Sequence, residues 1–372
     1  MKMQVPFLNL KAEYESLRQD IDKEIHDVLD SGYFVLGEKV KEFEKEFAEY
    51  LGAARVVTVN SGTSALYLAV RALNIGHGDE VITTANTFVA TCEAIAMTGA
   101  TPRLVDVLPE TYNMDPKRLK SAINSKTKAL MPVHLYGLPA DMEEIMGIAS
   151  EFGIPVIEDA AQAHGAECVV YGKTMKVGTI GDLGCFSFYP SKNLGCYGEG
   201  GAVVTNSDEL AAKVEMLRDH GQEKKHLHTE IGGNFRMSAF QGAVLNVKLK
   251  RLDEFNRRRI ELAQVYSKGL ADTAVVLPNS EKEKTHVYHL YVVQTDRRDE
   301  VREHLNEQGI GTGIHFPIPI HFCDAFRYLG YKKGDFPVSE ALSRRVLSLP
   351  MYPQLKEEQV KLTSRTIAEF LT

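Results

Sequence analysis

The chain predicts an α/β architecture built on a mostly parallel sheet, followed by a smaller α+β unit. Three observations carry this. Short apolar runs alternate with amphipathic stretches from Arg55 to Ile157, the β-then-α order of a sheet covered by helices on both faces. The run Ile154-Pro-Val-Ile157 is apolar throughout, as in a parallel strand buried on both sides. Beyond about residue 250 the alternation gives way to one strand and scattered helices. The expected division is therefore 1–250 for the large unit and 251–372 for the small one, with the first residues free to pack against the latter.

Each element has a local reason. Val5 to Leu10 opens in extended form. Tyr14 to Leu29 places Leu17, Ile21, Ile25 and Val28 on one helical face, and Ser31-Gly32 stops it. Gly32 to Gly37 reads as a glycine-bounded turn. A second helix runs through Val40, Phe43, Phe47 and Leu51 to Gly52. Strands follow at Arg55–Val59, Glu80–Thr83, Pro102–Asp106, Ala129–Val133 and Ile154–Ile157. Between them helices are expected at Thr63–Leu73, Phe88–Met97, Pro116–Ile123 and Asp141–Phe152. After a hairpin-like run come strands at Cys185–Tyr189 and Ala202–Thr205, then a helix at Asp208–Arg218. His220 to Phe235 is polar and holds Gly232-Gly233; it reads as a long loop. One long helix is expected from Ser238 to about Leu270. The remainder carries a strand at Tyr288–Val293 and helices near Asp299–Gln308, Val338–Leu347 and Glu357–Phe370.

Composition excludes several functions. The chain has 372 residues and a formal charge of −7, with no long basic block, so nucleic-acid binding is not expected. Five cysteines form no Cys-x-x-Cys pair, the usage of a reducing cytoplasm. The opening MKMQVPFLNLKAEY lacks an apolar core, and no run reaches the length of a membrane helix. A soluble cytoplasmic protein is expected. His226 and His228 form a His-x-His pair without convergent cysteines or acids, so no metal is expected. Gly309-Ile-Gly-Thr-Gly313 lacks the third glycine of a dinucleotide fingerprint.

The chemistry concentrates between Ile154 and Ala202. The strand at 154–157 runs into Glu158 and Asp159. Lys192 follows 33 residues later (192 − 159), in Pro-Ser-Lys-Asn after another strand. A carboxylate and an amine thus reach strand ends, where open α/β sheets build their sites. Pyridoxal phosphate (PLP) needs that pair: a lysine that condenses with its aldehyde, and an aspartate that keeps the pyridine nitrogen protonated. Ser61-Gly-Thr-Ser-Ala65 lies between strand and helix, a position that favours a phosphate dianion but also one where such residues simply cap helices.

The segments EDAAQ, SFYPSKNLG and GEGGAVVTN resemble the PLP-dependent nucleotide-sugar aminotransferases of the DegT/DnrJ type, and the likeness runs over nearly the whole chain. It implies PLP fold type I, aspartate-aminotransferase-like. It makes Lys192 the lysine bonded to PLP and Asp159 the pyridinium partner. Gln162 would bond the phenolic oxygen, Phe88 stack on the ring, and Thr63, Ser64 and Ser187 hold the phosphate. Asn234 would reach the phosphate of a partner subunit, making a homodimer with shared sites. HFPIPIH resembles a segment near the substrate, which brings in His315 and His321. Tyr33 and Phe34 could flank a nucleobase. Lys224 and Lys225 could meet a pyrophosphate, or be a solvated basic loop. Within the family, PSKNLGCYGEGGA, the histidine-rich loop and HVYHLYVV most resemble enzymes that aminate C3 of a dTDP-linked 3-keto-6-deoxyhexose, with glutamate as donor. C4 amination and a UDP-linked 3-keto uronic acid stay open. A dehydratase on the same fold carries histidine in place of the lysine, so Lys192 argues against it. A non-catalytic sensor keeping the fold is the rival of another class.

Overall fold

The computed structural model describes residues 4–279 and 283–372. The chain opens with α1 (Leu10–Ser31) and α2 (Glu38–Leu51). It then alternates through β1 (Arg55–Val59), α3 (Gly62–Ala72), β2 (Glu80–Thr84), α4 (Val89–Ala96), β3 (Thr101–Val105), α5 (Pro116–Ala122), β4 (Thr127–Leu130), α6 (Met142–Phe152) and β5 (Ile157–Asp159). A hairpin of β6 (Glu167–Val170) and β7 (Lys173–Lys176) precedes β8 (Leu183–Ser187), β9 (Gly201–Thr205) and α7 (Asp208–Arg218). The short strands β10 (Gln222–Lys224) and β11 (Leu227–His228) lead to α8 (Ala239–Leu249) and α9 (Leu252–Leu270). The chain closes with β12 (Tyr291–Gln294), α10 (Arg298–Glu307), α11 (Pro337–Arg345), β13 (Val346–Leu349) and α12 (Glu357–Leu371).

Seven strands form the central sheet in the order β3-β2-β4-β5-β8-β9-β1. The β4–β5 junction is carried by the parallel bridges Leu130 to Val156 and Val133 to Asp159. β9 pairs antiparallel with both β8 and β1, and the other neighbours pair in parallel. Successive residues point to opposite faces. Val56, Ile82, Leu130, Phe186 and Val204 pack with α2, α6 and α8 on one side. Val57, Val81, Ala129, Cys185 and Val203 pack with α3, α4 and α7 on the other. Burial of both faces is why the strands read as continuous apolar runs. β12 and β13 pair antiparallel and pack with α9, α10 and α12. Val5 joins that cluster and pairs with Ile310. All five cysteines are free. Among the described residues, no helix is long and apolar enough to cross a membrane.

Three expectations change. The helix expected over Ser238–Leu270 breaks at Lys250–Arg251 into α8 and α9. Leu245, Leu249 and Leu252 all stay buried across the break, so the apolar spacing carries no sign of it. The loop over His220–Phe235 holds the β10–β11 hairpin. The helix expected to reach Leu347 ends at Arg345, because Val346 and Leu347 pair with β12 as the start of β13.

Candidate active site

The C-terminal ends of β5 and β8 and the N-termini of α3 and α4 open on one cavity of about 430 Å³. Lys192 and Asp159 both line it. Asp159 is almost fully buried at the end of β5. Its Oδ2 accepts from Thr91 Oγ1 at 2.8 Å and its Oδ1 from the Ala161 N–H at 3.2 Å. Burial pushes its pKa up, against those two donors and the positive charge of Lys192. A carboxylate in that state gains from a cation brought against it. Burial pushes the Lys192 amine down to about 8, while the charge of Asp159 pulls the other way.

The loop carrying Lys192 is pinned from behind. Asn193 Nδ2 donates to Asn256 Oδ1 at 2.8 Å and to the Val287 carbonyl at 2.9 Å. Lys248, buried and paired with Glu13, donates to the Gly195 carbonyl at 2.7 Å. Gln241 accepts from the Tyr197 N–H at 2.9 Å.

The N-terminus of α3 is arranged for an anion. Ser61 caps it by accepting from the Ser64 N–H at 3.1 Å. The N–H groups of Gly62 and Thr63 have no intrahelical acceptor. Gly62 is required here: a Cβ on it would stand 2.6 Å from the Ser187 Cβ, so only glycine lets the two backbones close. Gln162 is held by the Tyr136 N–H, which donates to its Oε1 at 2.8 Å. That bond fixes the amide orientation and leaves Nε2 as a donor. Phe88 is half exposed at the head of α4 and lines the cavity; it is not a core phenylalanine. A carboxylate calling for a cation, a poised amine, a phosphate-sized N-terminus, a spare donor and an exposed ring together fit PLP.

The cavity includes Lys192, Asp159, Thr63, Phe88, Gln162, Ser187 and His315. The other candidates lie elsewhere. Ser64 turns its hydroxyl to Asn60 Oδ1 at 2.7 Å; it serves the turn instead of facing the cavity. His321 is buried beside Phe336, with Nε2 against Glu340 at 3.2 Å, so it does not reach the site of its own chain. Asn234 is exposed, its Oδ1 accepting from Arg236 Nε at 3.0 Å. Tyr33 and Phe34 are exposed, with Phe34 stacked on Phe240. Lys224 and Lys225 are exposed on the β10–β11 hairpin.

Glu158 is structural. It accepts from His134 Nε2 at 3.0 Å and from the N–H groups of Gly178, Ile180 and Gly181 at 2.8, 2.7 and 2.7 Å. The Ala140 N–H donates to His134 Nδ1 at 3.0 Å, which puts the ring proton on Nε2. Sequence reasoning missed Thr91, Tyr189, Glu199 and His289, all at the cavity. Thr91 had a signal: Thr87 and Thr91 stand one helical turn apart, and their hydroxyls meet at 2.8 Å.

This fold and cavity define a PLP-dependent aminotransferase of fold type I. The model of the DegT/DnrJ/EryC1/StrS aminotransferase family matches residues 15–367, and the chain belongs to that family. It is 45% identical over 356 residues to a dTDP-3-amino-3,4,6-trideoxy-alpha-D-glucose transaminase of Streptomyces venezuelae, covering 95% of this chain and 93% of the relative. It is 44% identical over 371 residues to a "pleiotropic regulatory protein" of Geobacillus stearothermophilus, covering 99% of both chains. The crystal structure of S. venezuelae DesV in complex with a ketimine intermediate superposes with a TM-score of 0.96 at 44% identity, covering 99% of this chain and 98% of that one.

Proposed function

We propose that the protein aminates a nucleotide-linked ketosugar, converting a dTDP-3-keto-6-deoxyhexose to the 3-amino-3,6-dideoxyhexose with glutamate as donor. The observation that carries this is Lys192 and Asp159 lining one cavity beside the N-terminus of α3. The choice of sugar leans on relatives such as the S. venezuelae transaminase. A 4-keto sugar and a UDP-linked 3-keto uronic acid are the alternatives.

PLP, when bound, supplies an electron sink that stabilises a carbanion. In this reading Asp159 holds a proton at the pyridine nitrogen. Gln162 donates from Nε2 to the phenolic oxygen. Phe88 packs on the ring face. The Gly62 and Thr63 N–H groups, with the Thr63 and Ser187 hydroxyls, receive the phosphate; Ser64 contributes by keeping the turn in shape. Lys192 holds the cofactor at rest. With its amine released from the cofactor, Lys192 would carry a proton at Nζ between the substrate carbon and the cofactor carbon.

Asn234 lies outside the cavity of its own chain, so its role belongs to a homodimer in which it reaches a partner's phosphate. Lys224, Lys225, Tyr33 and Phe34 would act from the same shared edge on the nucleotide, and His315 within the cavity on the sugar. The same reading divides the chain into a cofactor-binding unit, 1–250, and a smaller unit, 251–372, working in the cytoplasm.

The test is incubation with glutamate and a panel of dTDP- and UDP-linked ketosugars, with the new C–N bond assigned by NMR. No product from any of them would overturn the proposal. The likeness to a regulatory protein favours one second reading, a sensor. A sensor would bind PLP without any absorbance change on adding glutamate.

A further inference from the structure

Among the polar side chains at the cavity that the proposed chemistry leaves unused, His289 is nearly fully buried and has a ring nitrogen without a partner among the described residues. His289 is 7% exposed and lines the wall. Its Nδ1 is walled off with no hydrogen-bond partner among the described residues. Nε2 is therefore the nitrogen left at the cavity. Burial pushes the ring's pKa well down, and the positive charges of Lys192 and Arg259 add to this, so the ring is neutral and carries one proton. An orphaned N–H in a dry wall costs more than an orphaned lone pair. The proton accordingly sits on Nε2, and the ring presents a donor to the cavity.

The backbone around His289 is strapped into place. Tyr288 is a non-glycine residue at φ +44, a conformation that persists only when its surroundings enforce it. Buried Arg259 donates to the Tyr288 and Met351 carbonyls at 3.2 and 3.0 Å. The Val287 N–H donates to the Gly137 carbonyl at 3.0 Å, and Asn193, next to Lys192, donates to the Val287 carbonyl.

The neighbours define what it meets. Leu290, Phe316 and Phe88 share the cavity with His289, as does His315, a second neutral imidazole pushed down to about 4 by burial and by Lys192. Among the described residues, Lys192 lines the cavity and no arginine does. A charged carboxylate set against neutral imidazoles and aromatic rings gives up more hydration than an uncharged sugar oxygen does. A sugar suits it: an uncharged oxygen accepts from the imidazole, and C–H faces meet the rings. We propose that His289 is a substrate-contact residue whose Nε2–H donates to an oxygen of the ketosugar ring, and so acts in the sugar half of the reaction only.

This rests on the sugar-aminotransferase reading and is tested apart from it. Cofactor-loaded wild type, His289→Leu and His289→Gln are compared in three measurements. These are the glutamate half-reaction by stopped-flow absorbance, the ketosugar half-reaction by the same method, and the Kd of dTDP-3-amino-3,6-dideoxyhexose by calorimetry. His289→Leu should weaken the Kd by about 3- to 15-fold, the scale of one neutral hydrogen bond, and slow the sugar half-reaction to match. The glutamate half-reaction should stay within about twofold, and His289→Gln should recover most of the loss. Equal loss in both half-reactions, loss confined to glutamate, or an unchanged Kd would each overturn the proposal. A 15N spectrum of wild type serves if the leucine variant does not fold: the Nε2 resonance should move with the dTDP-sugar and not with dTDP. No movement overturns the proposal. Wild type inert toward every ketosugar would instead sink the parent reading.

Discussion

A buried amine at about 8 makes a quantitative prediction about how the apoenzyme captures PLP. The aldehyde is attacked only by neutral amine. At pH 7 roughly 9% of Lys192 would be neutral, about 300 times the fraction of a solvent-exposed lysine near 10.5. The capture rate should therefore climb about tenfold per pH unit up to roughly 8 and flatten above it. Asp159→Asn gives the sign test. The Asp159 charge raises the Lys192 pKa against the larger effect of burial, so removing that charge should move the midpoint below 8. The variant should then capture PLP faster than wild type at pH 7, while turning over less substrate. The assay is stopped-flow absorbance of apoenzyme mixed with PLP from pH 6 to 10, with borohydride trapping to confirm the bonded lysine. A wild-type midpoint near 10, or a shift to higher pH in Asp159→Asn, would refute the reasoning.

Lys192→Ala should lose both turnover and the absorbance of the lysine-bound cofactor, and retained activity would refute its assignment. Asn234→Ala should weaken PLP binding; mixing it with Lys192→Ala should restore activity, since the mixed dimer rebuilds one site from Lys192 of one chain and Asn234 of the other. Mixtures no more active than their parents would remove the shared site. Glu158→Ala should cost about 2–5 kcal/mol in urea unfolding, because it strands buried His134 and the buried Gly178 N–H and removes the acceptor of the half-buried Ile180 and Gly181 N–H groups; a loss under about 1 kcal/mol would contradict the structural role.

The alternation of strands and helices was legible because both faces of the sheet are covered and each strand prints as an apolar run. Direction was not legible. Ala202-Val-Val-Thr205 reads alike whether it runs with the sheet or against it, and β9 runs against it. The α8–α9 break hides because the buried leucines keep one phase through it. That Lys192, Asp159 and Gln162 meet at one cavity was legible from a strand end and a motif. His289 was not: a histidine ahead of an apolar strand looks like any other, and only the fold around Tyr288 turns it toward the cavity. His321 shows the opposite failure, since HFPIPIH suggested two equivalent histidines and packing against Phe336 withdrew one.

The ion pair between Glu13 and Lys248 has a practical outcome for anyone handling this protein. Lys248 also rests over the Tyr197 ring at 4.7 Å and holds the carbonyl of Gly195, three positions past the reactive amine. Trimming the chain at its front, or fusing a bulky tag that displaces the first helix, would leave an ammonium stranded in the interior. A shortened version could therefore lose activity while every residue that touches the reactants is still present.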